Sequence, residues 1–314
     1  MSDLPANSSA VSASQLRQPF VRLGVFAAAL CLCFVVPLSG FIPYVLKSEL
    51  YSHVLLIPVI TGYLIWMRRE RIPAQAAPAL GAAGVWVLVG VAGLGACAVL
   101  RARGVHLSRD DYFSLIIFSF VSFLIGGSLV TLGGARVRAL DFPLAILFLM
   151  VPFPTVVMEW IETFFQHGSA EVCDWLFQLV GVSVLRDGQV FRLPGIAIEV
   201  ASECSGIRSS LVLFITCLLA GHLFLRTGWM RVALVLAVIP LGIFRNAFRI
   251  FTLAMLCVHV DRDAIDSPLH THGGPVFFAL SLVPLFFLLW WMRKAEARRP
   301  ETAPPERKNS GTAA

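Results

Sequence analysis

Charge is scarce in this sequence. Asp, Glu, Lys and Arg make up 14% of the 314 residues, against about 25% in an ordinary soluble domain. Ligand clusters are scarce too. No CxxC pair and no zinc-type Cys/His spacing occurs, so neither a dithiol redox site nor a structural zinc is expected, and no cofactor or metal is. No internal repeat or low-complexity linker interrupts the chain, which reads as one domain. A cleavable signal peptide is not expected either: the first apolar run is too long and too poorly followed by a cleavage site. What the chain does have is apolar surface. Hydrophobic residues are 57% of it and the mean hydropathy is +0.79. That excludes a soluble globular domain and predicts an all-α, polytopic membrane protein. The net charge of +6 is spread over loops, and no nucleic-acid partner is expected.

About eight membrane helices are expected, each of the roughly 20 residues a bilayer demands. They run from about Arg22 to Ile42, Tyr51 to Met67, Ala79 to Leu100, Tyr112 to Leu132, Leu140 to about Val157, Gly206 to Leu225, Val232 past Arg249, and Pro275 to Met292. The third is rich in Gly and Ala, which lets helices approach closely. Pro143, Pro152 and Pro154 should bend the fifth. Residues 1–21 read as a disordered N-terminus, 22–295 as the membrane domain, and 296–314 as a disordered tail.

Basic residues in short loops orient the chain. With the N-terminus in the cytoplasm, Arg17, Arg22, Arg68, Arg69, Arg71, Arg136, Arg138, Arg226, Arg231 and the basic tail all fall inside. Most acids, among them Glu159, Glu171, Asp187, Glu199, Asp263 and Asp266, fall outside. The segment Arg101 to Arg109 departs from this bias. Both termini are therefore expected in the cytoplasm.

One sizeable external segment precedes the sixth helix, at about 158–203. Met158 to Leu179 alternates apolar and acidic residues at helical spacing, as a surface-lying amphipathic helix does. Val184 to Phe191 reads as a β-hairpin turning at Asp187-Gly188. Together they form a small cap that leads into Glu203-Cys204-Ser205-Gly206-Ile207-Arg208.

Cys204 stands at the start of the sixth helix. The unpaired N–H groups of a helix start favour an anion, and thiolate is the reactive form of cysteine. Arg208 lies one turn on, on the same face. Of the arginines within the seventh helix, Arg249 is about 26 Å up from Val232 at 1.5 Å per residue, near the outer interface. His270 and His272 follow the acidic loop after that helix, again at the outer face. A thiol, an arginine and a histidine gathered at one depth suit acyl transfer, with nucleophile, oxyanion donor and general acid/base in turn. A partner for the histidine is not evident from spacing; Asn246 and Asp266 are the candidates.

Three stretches carry a resemblance. Cys204-Ser205-Gly206-Ile207-Arg208-Ser209, Asn246-Ala247-Phe248-Arg249, and His270 to Gly274 with Phe278 resemble the three motifs of the exosortase/archaeosortase family, over roughly residues 20 to 295. The resemblance implies a bacterial inner-membrane cysteine transpeptidase whose site faces the periplasm. Its partners would be exported proteins bearing a C-terminal sorting signal of the PEP-CTERM kind: a short motif, a membrane helix and a basic cluster. It implies Cys204 as nucleophile, Arg249 as the paired arginine and His270 as general acid/base, in a family often associated with exopolysaccharide production. Arg208, Asn246, His53 and His272 are supporting candidates. His53, in Ser52-His53-Val54, matches only part of the family's histidine-glycine pattern. His270 is preferred over His272 for its four-residue spacing to Gly274. The acceptor of the acyl group is not specified by these motifs.

Blander readings compete with each of these. A cysteine in an apolar run is usually a small hydrophobe, and Arg249 could snorkel to the interface. Arg245 reads as a packing or interface charge. A disulfide from Cys204 to Cys173 would be chemically open outside the cell but would remove the nucleophile. As a whole, the chain could instead be a non-catalytic transporter or an exopolysaccharide-export component. Such proteins keep their polar residues near mid-membrane on broken helices, whereas here they gather at one face.

Overall fold

The computed structural model describes residues 13–48, 50–193, 196–200, 207–259 and 274–298. The chain divides into two compact units, Met1–Glu159 and Trp160–Ala314. The first contains α1 (Ala13–Cys33), α2 (Val35–Lys47), α3 (Ile57–Arg68), α4 (Leu80–Ala102), α5 (Arg109–Thr131), α6 (Gly134–Ala139) and α7 (Asp141–Ile146). The helix α8 (Thr155–Val180) begins at its edge. The second unit carries the rest of α8, the strands β1 (Leu185–Asp187), β2 (Val190–Leu193) and β3 (Ile196–Glu199), then α9 (Ile207–Phe224), α10 (Gly228–Leu236), α11 (Val238–His259) and α12 (Gly274–Ala297).

The chain is a multi-pass membrane protein. Five helical stretches among the described residues are long and apolar enough to cross a bilayer: α4, α5, α9, Gly228–Val258 and Val276–Ala297. The number becomes seven if two bent pairs, Gln18–Cys33 with Val35–Lys47 and Asp141–Met150 with Thr155–Val180, each count as a span. The expected second span falls short of this. Tyr51–His53 form a turn, Val54–Leu56 is a 3-10 segment, and the α-helix that follows has only 12 residues. At 1.5 Å per residue it rises about 18 Å, well under the roughly 30 Å of a hydrocarbon core. Pro58 starts it and Arg68 ends it. The first expected helix also differs. It begins at Ala13 and bends by 84° at Phe34. Pro37 follows three residues later; it has no N–H to give and crowds the carbonyl of Cys33. The bend expected at Pro152 and Pro154 is the break between the 3-10 turn Leu147–Met150 and α8.

In the first unit α5 is the central element: 72% of its apolar stretch is buried, against 22% for α4. Close approach explains this. A Cβ on Gly93 would lie 2.4 Å from Ser119 Oγ, one on Gly90 2.9 Å from the Phe123 ring, and one on Gly126 3.1 Å from Val87. Opposite them, Phe26 of α1 rests directly on Gly127. Buried hydroxyls on α5 return their protons to the helix itself, Ser119 to Leu115 O at 2.8 Å and Ser122 to Phe118 O at 2.8 Å, as an apolar setting requires. At one end of α5, Ser108 caps Asp111 N at 3.0 Å. Asp111 in turn accepts from Thr155 N and Thr155 Oγ1, both at 2.8 Å, so a carboxylate sits at the start of α8, where the helix dipole favours it. Beyond the other end, the buried Arg136 donates to the carbonyls of Pro73 (3.0 Å), Leu132 (3.2 Å) and Ala74.

Among the described residues, the second unit has two cores. One is formed by Leu213 and Cys217 of α9, Met230 and Leu234 of α10, and Leu285, Leu289 and Met292 of α12. At its margin the Glu296 carboxylate accepts from Arg226 N at 2.9 Å and from the N–H and hydroxyl of Thr227, which opens α10. The other core joins Ala170, Cys173 and Phe177 of α8, Phe191 and Leu193 of β2, Val200, and Ala247, Ile250 and Ala254 of α11.

The expected hairpin is present, with a third strand added. The strands lie β1-β2-β3, antiparallel, with Asp187 opposite Val190 and Val190 opposite Glu199. The turn residues are Gly188 and Gln189, one position beyond the expected pair. Gly188 has φ +61°, a conformation in which a β-carbon is strained. Arg186 braces the sheet against α8 through Glu171 at 2.7 Å; that bond raises the guanidinium above the ordinary arginine range. Cys173 is fully buried beneath the sheet.

Candidate active site

The motif residues fall on three segments of the second unit. Cys204 lies between β3 and α9, and His270, His272 and Asp266 lie between α11 and α12; all four are outside the described residues. What the structure describes is the packing of the elements that precede and follow those segments in sequence.

One turn of α11 joins these elements. Arg245 and Asn246 are adjacent in sequence, so their side chains leave the helix about 100° apart and reach two different neighbours. Arg245 Nη2 donates to Ser210 Oγ of α9 at 3.1 Å. Asn246 Nδ2 donates to Ser169 Oγ of α8 at 3.0 Å. Both are nearly sealed, Arg245 at 7% exposure and Asn246 at 2%. Asn246 Oδ1 is buried and accepts no hydrogen bond among the described residues. Small residues make the contact possible. A Cβ on Gly242 would lie 2.7 Å from Ser210 Oγ and 3.0 Å from the Phe165 ring, and one on Gly168 2.9 Å from Ile243. Three helices therefore meet closely around polar side chains in an otherwise apolar setting, where each such group is costly unless bonded.

Arg249 is one turn along α11 from Arg245 and is half-buried. Its neighbours Ala247 and Ile250 share a core with Phe191, Leu193 and Val200. The turn that carries Arg249 thus stands against the sheet that leads into the Cys204 segment. Arg208 is exposed on the first turn of α9. His53 belongs to the first unit, where its Nδ1 lies 3.1 Å from the carbonyl of Leu50.

The sequence alone did not single out Gln166, Ser169 or Ser210. Gln166 Nε2 donates to the carbonyl of Val200, the last described residue before the Cys204 segment. Val200 N donates to Gln189 O at 3.0 Å. The only sequence signal for these residues is small or polar character inside apolar helices, as in Gly168-Ser169-Ala170. Among the described residues no group of three His, Cys, Asp or Glu side chains could hold a metal ion.

Comparison with known families gives one match. The sequence profile described as transmembrane exosortase covers residues 45–287. No curated protein and no solved structure matches the chain.

Proposed function

The chain belongs to the transmembrane exosortase family, and from that premise we propose that it is a cysteine transpeptidase acting on C-terminal sorting signals of exported proteins. The observation that carries the reading is the packing of the α11 turn bearing Arg249 into one core with the strand and Val200 that precede Cys204. Ala247 and Ile250, on either side of Arg249, share that core with Val200, four positions before Cys204.

Cys204 thiolate attacks the scissile carbonyl carbon and a C–S bond forms. Arg249 donates to the oxyanion that develops. His270, or His272 in its place, protonates the leaving amine as the C–N bond breaks, then takes the proton from the acceptor that cleaves the thioester. Asn246, with its buried carbonyl oxygen, is suited to accept a hydrogen bond from the imidazole N–H and fix its tautomer. The acceptor is an amine or hydroxyl for transfer, or water for hydrolysis. Arg208 supports the thiolate from the first turn of α9. In this reading the protein sits in the bacterial inner membrane with both termini cytoplasmic and its site facing the periplasm. Proteins whose C-termini combine a short motif, a membrane helix and a basic cluster are its substrates.

The test is removal of the thiol. Cys204→Ala should leave the protein inserted and abolish maturation of such substrates. Cys217→Ala, in the buried core of α9, should retain it. Normal processing by Cys204→Ala would overturn the mechanism.

A further inference from the structure

Three helix ends meet at one level of the second unit. α9 stops at Phe224, α10 starts at Gly228, and α12 runs out at Ala297. A cavity of about 400 Å³ lies among them, and its lining includes Phe224, Leu225, Arg226, Arg293 and Glu296. We propose that this cavity binds the headgroup of an anionic phospholipid, with Arg226 and Arg293 holding the phosphate and the acyl chains lying on the exposed apolar faces of α9 and α12.

The charge balance favours an anion. Residues 226–231 and 293–298 hold five basic side chains, Arg226, Arg231, Arg293, Lys294 and Arg298, against one acid, Glu296. That acid is already committed. Its carboxylate accepts from Arg226 N at 2.9 Å and from the N–H and hydroxyl of Thr227, so it caps the start of α10; it also interacts electrostatically with Arg226. Arg231 is committed as well, its Nε donating to Leu225 O at 2.9 Å. Arg226 and Arg293 are exposed in the cavity wall and make no ion pair among the described residues. A guanidinium offers phosphate oxygens a planar fork of donors.

The surroundings favour a lipid over a free anion. Arg293 Cζ lies 5.3 Å from the centroid of the Phe224 ring, and Lys294 Nζ 4.8 Å from that of Trp290. Phe224, Trp229, Trp290 and Trp291 are all exposed, at 50% to 57%. Tryptophan beside basic side chains at a helix end marks the headgroup level of a bilayer. The base of the cavity is fixed, because Leu225, which lines it, shares a buried core with Met230 of α10 and Met292 of α12. Positive charge at helix ends follows from topology alone. Two arginines in the wall of one cavity between membrane helices, of a size that suits a small ligand, are what a lipid headgroup pocket requires.

The test uses the full-length protein purified in a neutral detergent, with native mass spectrometry counting bound lipid. Palmitoyl-oleoyl phosphatidylglycerol is the probe, and phosphatidylcholine with the same chains is the comparison. The wild type should prefer phosphatidylglycerol on the order of 25-fold, from roughly 5-fold for each of two basic side chains at an anionic headgroup. Arg226→Gln with Arg293→Gln should abolish that preference. Lys294→Gln with Arg298→Gln removes the same charge from outside the cavity lining and should keep most of it. Excess inorganic phosphate should leave the bound lipid in place. Equal retention of the two lipids by the wild type overturns the proposal. So does an equal loss in both double variants, which would show diffuse charge rather than a site. Displacement of the lipid by phosphate would make a free anion the ligand and overturns the lipid assignment. None of these outcomes depends on the reading of Cys204.

Discussion

Two arginines are read here in two different jobs, one proposed and one structural, and lysine separates them. Arg249 is proposed to aim donors at an oxyanion, and the fork of a guanidinium supplies two bonds where an ammonium supplies one point of contact. Arg249→Lys should therefore reduce substrate maturation on the order of 100-fold, the cost of losing an oxyanion donor. Modification of Cys204 by maleimide should persist in that variant. If it is lost instead, Arg249 acts by ionising the thiol; if processing is normal, Arg249 leaves the catalytic set. Arg136 is structural. It donates to the carbonyls of Pro73, Ala74 and Leu132 and is buried. Arg136→Met leaves those acceptors without that donor, at about 1–3 kcal/mol for each buried group. A lower unfolding midpoint in detergent, with incomplete rescue by Arg136→Lys, is the expected result.

At the scale of elements, the α4–α5 pair is set by backbone proximity rather than by side-chain bulk. Gly93 faces Ser119 Oγ at a distance that no real β-carbon tolerates. Gly93→Ala should therefore destabilise the protein by about 1–3 kcal/mol, as overpacking does in cores. Ser119→Ala removes the clashing oxygen, and the hydroxyl bonds only within its own helix, to Leu115 O. The double variant should recover most of the loss. Thermal unfolding of the three variants checks this, and a double variant no better than Gly93→Ala would show that the helices meet differently. The short α3 belongs to the same scale: hydropathy allows a span there, but a turn, a proline and an arginine pair leave 12 residues of helix.

For the whole molecule, the exposed surface of the helices carries the environment. Val85, Leu88 and Val91 on α4, and Phe286, Phe287, Trp290 and Trp291 on α12, are all exposed. Faces like these would aggregate in water and are served by lipid. The proposed orientation is testable with reporters. Fusions after Arg71, Arg138, Arg231 and Arg293 should report cytoplasm, and fusions near Asp187 and Asp263 should report the exterior. A cytoplasmic Asp187 would sink the site assignment, because Cys204 would then share that side.

Hydropathy, motif order and turn residues were enough to establish an all-α membrane protein, the hairpin at Gly188 and the family. These are local signals: a 20-residue apolar run or a glycine at positive φ carries its meaning in its own neighbourhood. Other features needed the fold, because they depend on partners far along the chain. The third strand appears only when β2 has an edge to offer. Arg136 read as a loop charge until its carbonyl partners, some 60 positions earlier, came within reach. Arg245 read as a packing charge, and Gln166 was silent, until the fold brought Ser210 and Val200 within reach of them. A sequence states which groups a chain owns; which of them meet across 35 or 77 positions, as Arg245 with Ser210 and Asn246 with Ser169 do, is decided by close packing of small residues that no local pattern encodes.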